Sequence, residues 1–281
     1  MKFLPGETGK GCRIHGVRGV DAMDGLIRAG RLLYAVAIFV FGLQCLSSAT
    51  GNKLPIPSIG PPWTQGERGL AILVGFGMMA VAAALVLQWY GRLAANLLGL
   101  GAVVRGLVIY LPWGLRTPGY PRPWTALFEL IALGGAALVI GATLPGLIPQ
   151  GNVLQRRLAE VGRWMFAISL VVFGVQHLIY AAFVAALVPA WIPEHMFWAY
   201  FTGVAFLLAA VSLMTKMQAG LAGVALGLMF VLWVIVLHIP RFVRARHDGS
   251  EWTSAFVALA MCGASLVMAG AMEKRALRGG L

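Results

Sequence analysis

Residues 30–46 read GRLLYAVAIFVFGLQCL and residues 162–178 read GRWMFAISLVVFGVQHL, with eight of the seventeen positions identical at an offset of 132. Further along the chain the offset settles at 128. Leu93-Ala94 and Gly99-Leu100 fall on Leu221-Ala222 and Gly227-Leu228, and Pro112 falls on Pro240. Trp124-Thr125-Ala126-Leu127-Phe128 falls on Trp252-Thr253-Ser254-Ala255-Phe256. Self-similarity at a fixed offset marks a repeated structural unit. The chain therefore reads as two tandem copies of one module, and positions where the copies differ mark where their chemistry diverges.

The composition places both copies in a membrane. Of 281 residues, 59% are hydrophobic and 11% charged, and the mean hydropathy is +0.82. Apolar runs of about 20 residues, enough to cross a hydrocarbon layer of roughly 30 Å, recur eight times. They lie near residues 31–47, 68–89, 93–111, 124–145, 162–184, 195–215, 219–239 and 252–272. Eight of the nine Trp sit in or beside the ends of these runs, as an interfacial aromatic belt requires, and Trp233 alone sits well inside one. The expected fold is an all-α membrane protein whose eight transmembrane helices form two tandem four-helix bundles. Each copy has four spans, an even number, so the copies enter the membrane in the same orientation as a parallel repeat. The expected divisions are a tail at 1–29, modules at 30–146 and 162–273, a linker at 147–161 and a second tail at 274–281.

The net charge of +12 is topological rather than a nucleic-acid footprint. With the N-terminus inside, fourteen of the 22 Lys and Arg fall on the inner side and seven on the outer, and Arg105 lies within a span. Excess basic residues mark the cytoplasmic side, so both termini are expected there, in contact with membrane lipid. Residues 1–29 lack the apolar run of a secretory signal, and Met23–Ala29 is expected to lead helically into the first span. Cys12, Cys45 and Cys262 show no CxxC or metal-ligand spacing. The five His show no HxxxH or HxxEH pattern, so no metal site is expected, and no GxSxG elbow is present. The first external loop of each copy is apolar and proline-bearing (Lys53–Trp63 and Phe183–Pro193). Extended backbone cannot be satisfied in lipid, so each is expected to fold over its bundle as a lid.

Several of these segments resemble a known family. GRxxxAxxxxxFGxQ in the first span of each copy and a Pro-Arg end to the third span of the second (Pro240-Arg241) look like the DoxX-like membrane proteins. FGVQH, LVPAWIPEHMFW, LHIPRF and EWTSAFVALAM make the second copy the closer match. The resemblance covers about residues 30–145 and 160–272. It implies a helical bundle in a bacterial-type inner membrane and an association with redox complexes, because the family includes a subunit of a thiosulfate:quinone oxidoreductase. It carries over no catalytic residue.

Ionisable residues inside a bilayer are costly and point to a site unless they pair for structure. Arg105 and Glu129 are expected at equal depth on adjacent antiparallel helices, roughly 8–10 Å below the outer surface. A structural ion pair is the first reading, and an anion or proton site the second. Their counterparts are Trp233 and Val257, so the whole pair is lost together in the second copy. That copy carries its own set at its outer end: Gln176, His177, His195, His238 and Arg241, with Glu194 and Glu251 at helix starts.

Three readings compete for this rim. In the first, the group receives a quinone head, with histidine exchanging its protons, and the protein is the quinone-facing membrane subunit of an oxidoreductase that needs a soluble redox partner. In the second, His177 and His238 ligate a haem. Their expected depths, about 10 Å and about 3 Å below the outer surface, differ too much for one iron. In the third, the rim meets lipid heads or another protein, and the chain is a scaffold without chemistry. A transporter is a further alternative, weakened by prolines that lie at span ends rather than at the midplane.

Overall fold

The computed structural model describes residues 8–51, 68–146 and 152–279. The described residues form an all-helical fold with eight helices long and apolar enough to cross a membrane. They are α1 (Thr8–Ala49), α2 (Arg68–Leu87), α3 (Gly91–Arg116), α4 (Pro121–Thr143) and α5 (Val153–Ile179), then the short α6 (Ala181–Leu187), α7 (His195–Thr215), α8 (Ala219–Arg244) and α9 (Gly249–Gly279). Here "terminal end" means the end where α1 begins and α9 finishes, and "far end" the opposite one. The first proline-bearing loop lies outside the described residues. In the second, Ala181 and Ala185 of α6 pack against Ala199 near the start of α7, so this segment is partly helical.

The helices pack in a ring, α1–α2–α3–α4–α5–α7–α8–α9 and back to α1, with α4 and α9 touching across the middle. This differs from two self-closed bundles. The most extensive partner of α1 is α9, from the other half, and α4 packs on α5, so the two halves meet along two long seams. The physical reason is where the small residues lie. A side chain on Gly30 would strike the carbonyl of Gly263, and one on Gly162 the carbonyl of Gly135. Glycine backbones that approach this closely gain packing without a hydrophobic driving force, which lipid does not supply. At the 132 and 128 offsets the two contacts involve the same pair of positions. The other repeated glycines serve the seams within each half, Gly42 against Gly75 and Gly174 against Gly203.

The repeated polar residues also have structural partners. Gln176 Oε1 lies 3.0 Å from the Thr125 hydroxyl, which can donate to it or to Pro121 O at 3.1 Å. Gln44 Oε1 accepts from Thr253 at 3.2 Å across the other seam. Trp124 Nε1 donates to Pro118 O and Trp252 Nε1 to Arg246 O, each closing the loop before its helix. Buried Arg163 donates to Leu213 O and, at 3.1 Å, to Met214 O. It thereby caps α7, whose last carbonyls have no partner within the helix. Tyr34, fully buried, donates to Leu133 O at 2.8 Å and ties α1 to α4.

Two helices widen for one turn. Gly106–Tyr110 in α3 and Val234–His238 in α8 are π-helical, and a proline stands two residues later in each, Pro112 and Pro240. A proline ring clashes with the carbonyl four residues back and offers no N–H to it. Opening the turn to the i−5 register relieves both problems. The turns α2–α3 and α7–α8 each hold two non-glycine residues in the left-handed region, Gln88 and Tyr90, then Lys216 and Gln218.

Candidate functional site

The far-end residues of the second half are each placed, and several already have partners. Gln176 faces α4 through Thr125. His177 bonds through Nδ1 with its own helix at Phe173 O (2.8 Å), and its ring packs edge-on to Phe206 of α7 at 5.1 Å between centroids. Adjacent residues of α5 thus address different neighbours. Arg241 forms a two-pronged pair with Glu251, Nε to Oε2 at 2.9 Å and Nη2 to Oε1 at 2.6 Å, fastening α8 to α9. Such fork geometry holds a guanidinium firmly. His195 is the first residue of α7 and is half-buried. His238 closes the π turn of α8, one helical turn before Arg241, and its buried Nδ1 has no hydrogen-bond partner. A quinone pocket would need these groups turned toward one space. Gln176 and Arg241 bridge to neighbouring helices, whereas the His177 hydrogen bond stays within its own helix.

The expected Arg105–Glu129 ion pair does not form. Glu129 makes no hydrogen bond or ion pair among the described residues, and Arg105 lies within electrostatic range of Cys45 on α1. Arg105 sits at the lip of the π turn in α3, where the widened helix redirects the side chains beyond it. Equal depth in sequence did not translate into facing side chains. In the second half Trp233 occupies the position of Arg105 and packs on Trp198, 6.0 Å between centroids.

A cavity lies at the terminal end, where α1, α4, α5 and α9 meet. It holds about 300 Å³ and is bounded by Asp24, Ile27, Val139, Ala142, Thr143, Gln155, Arg156, Ala159, Arg163, Met268, Ala271, Met272 and Lys274. Its walls mix apolar side chains with polar and charged ones. Among them Asp24 and Lys274 pair at 2.5 Å. Gln155 is buried, and its Oε1 has no hydrogen-bond partner. A buried acceptor left without a donor costs about 1–3 kcal/mol. Sequence reasoning missed this site because its charges were read as topology. One signal was present: at the 132 offset Asp24 falls on Arg156, opposite charges at equivalent positions.

Eight spanning-length apolar helices and buried polar groups that serve mainly as helix caps and ties define a multi-pass helical membrane protein. A family model described as "Domain of unknown function (DUF8561)" matches residues 166–271, within the second half. No curated protein matches the chain. No solved structure matches it either.

Proposed function

We propose that this chain is a non-catalytic membrane protein that holds an amphiphile in the terminal-end cavity between its halves. The carrying observation is the orphaned Gln155 Oε1 beside a cavity of about 300 Å³ that is lined both by apolar side chains and by charged ones, Asp24, Arg156, Arg163 and Lys274. An acceptor in that position selects a ligand whose head offers a hydroxyl or amine and whose body is apolar. The role assigned to the repeated motif supports the same reading. In GRxxxAxxxxxFGxQ the glycines are close crossings, Gln44 and Gln176 tie the halves, and Arg163 caps a helix. With the positive side inward, the cavity opens toward the cytoplasm of a bacterial-type cell.

The test is mass spectrometry of the small molecules that stay with the protein through gentle extraction from native membrane. One hydroxyl- or amine-bearing amphiphile per chain is expected. It should be lost from Gln155→Met, which removes the orphan acceptor at nearly constant volume. Stripped of ligand, that variant should be the more stable one, because its buried group no longer lacks a partner. The far-end quinone reading makes a different forecast. A quinone would be retained by Gln155→Met and lost from His238→Leu, and that pattern would move the site to the far end.

A further inference from the structure

Arg163 and its counterpart Arg31 sit at the same position of the two copies, and both are buried, 4% and 7% exposed. Their surroundings differ. Three residues before Arg163 stands Glu160, whose carboxylate takes Nε at 3.1 Å and Nη2 at 2.8 Å. Three residues before Arg31 stands Arg28, which the helical spacing places on the same face and whose charge reaches Arg31. Arg31 Nε is buried without a hydrogen-bond partner, and among the described residues its guanidinium forms no hydrogen bond or ion pair. The second half supplies its own counter-anion. The first half supplies a second cation instead.

We infer that Arg28 and Arg31 form a binding site for the phosphate of a membrane phospholipid, in the part of the α1 span (Asp21–Ala49) nearer the terminal end. An isolated buried guanidinium is costly, and a phosphate diester bridging the two arginines removes that cost with charge-assisted hydrogen bonds. A lipid is the source chosen over free phosphate because the next turns of α1 are apolar on the same side. Exposed Leu32, Val36 and Phe39 continue the face of Arg28 at helical spacing, an apolar track for an acyl chain directly above the charged end. The site is separate from the cavity of the proposed function, which neither arginine lines.

The deciding experiment uses the full chain in nanodiscs of phosphatidylcholine with or without phosphatidylglycerol, and counts retained lipid by native mass spectrometry. Wild type is expected to keep one phosphatidylglycerol with roughly tenfold preference over phosphatidylcholine. Arg28→Glu installs the arrangement that the second half already tolerates. It should abolish the preference while raising the unfolding temperature in phosphatidylcholine alone. Arg31→Gln should also abolish the preference, and Glu160→Gln should leave it intact. Equal retention of the two lipids by wild type, or an undiminished preference in both arginine variants, overturns the site. Inorganic phosphate held by the protein in detergent at millimolar concentration, with no lipid preference in nanodiscs, overturns the lipid assignment.

Discussion

Gln176 shows how a residue that looks chemical in sequence becomes structural in space. An amide beside a histidine near a helix end suggests ligand contact, yet its oxygen meets Thr125 on α4, and Gln44 meets Thr253 in the same way. Hydrogen bonds between membrane helices are worth about 0.6 kcal/mol on average and up to nearly 2. A double-mutant cycle of Gln176→Leu with Thr125→Val, read by unfolding in mixed micelles, should give a coupling energy in that range. A coupling of zero would show that the two side chains do not interact. Asn152 offers a simpler case at the start of α5, where its Oδ1 accepts from Gln155 N at 3.0 Å. Asn152→Ala should lower stability by about 1 kcal/mol, the usual cost of losing an N-cap.

At the scale of elements, the two short turns at the terminal end are the places where the backbone is under strain. Gln88 and Tyr90 join α2 to α3 with positive φ, and Lys216 and Gln218 repeat the arrangement between α7 and α8. Non-glycine residues reach the left-handed region at a cost of roughly 1–2 kcal/mol each, which the packed helices on both sides impose. Gln88→Gly should therefore raise the unfolding temperature, with a gain of about 0.5–1 kcal/mol after the added freedom of the unfolded glycine is subtracted. Lys216→Gly should gain less, because Lys216 also pairs with Glu160 at 3.4 Å. Equal gains at the two positions would show that the ion pair contributes nothing. The π turns are the other local departure, and their cause is legible in the sequence: Pro112 and Pro240 stand at the same position of the two copies.

For the molecule as a whole, the seams between halves govern assembly. Because α1 packs chiefly on α9 and α4 on α5, neither half carries a closed interior of its own. Residues 1–146 and 147–281 produced separately should fail to give monodisperse protein, whereas the two produced together should co-purify as a one-to-one complex. A well-behaved first half on its own would mean that its four helices close without the second. Within the intact chain, Gly162→Leu should be far more damaging than Gly77→Leu. A side chain at Gly162 meets the backbone of Gly135, while one at Gly77 meets open space.

What the amino-acid order determined by itself was the all-helical class, the eight spanning segments and the positions shared by the two copies. These come from the length of apolar runs and from self-similarity, both local properties of the chain. Which helices touch was decided only in three dimensions, since a glycine marks a close approach without naming the partner. The same limit explains the site. Arg105 and Glu129 sit at comparable distances from their span ends in sequence and yet form no ion pair, since side-chain direction is set by helix rotation and packing that spacing alone does not give. Gln155 carries no special mark in sequence and Arg31 shows only as a repeated position, and their interest comes from burial without a partner. Burial and partnership depend on every neighbouring helix at once, so only the tertiary structure could reveal them.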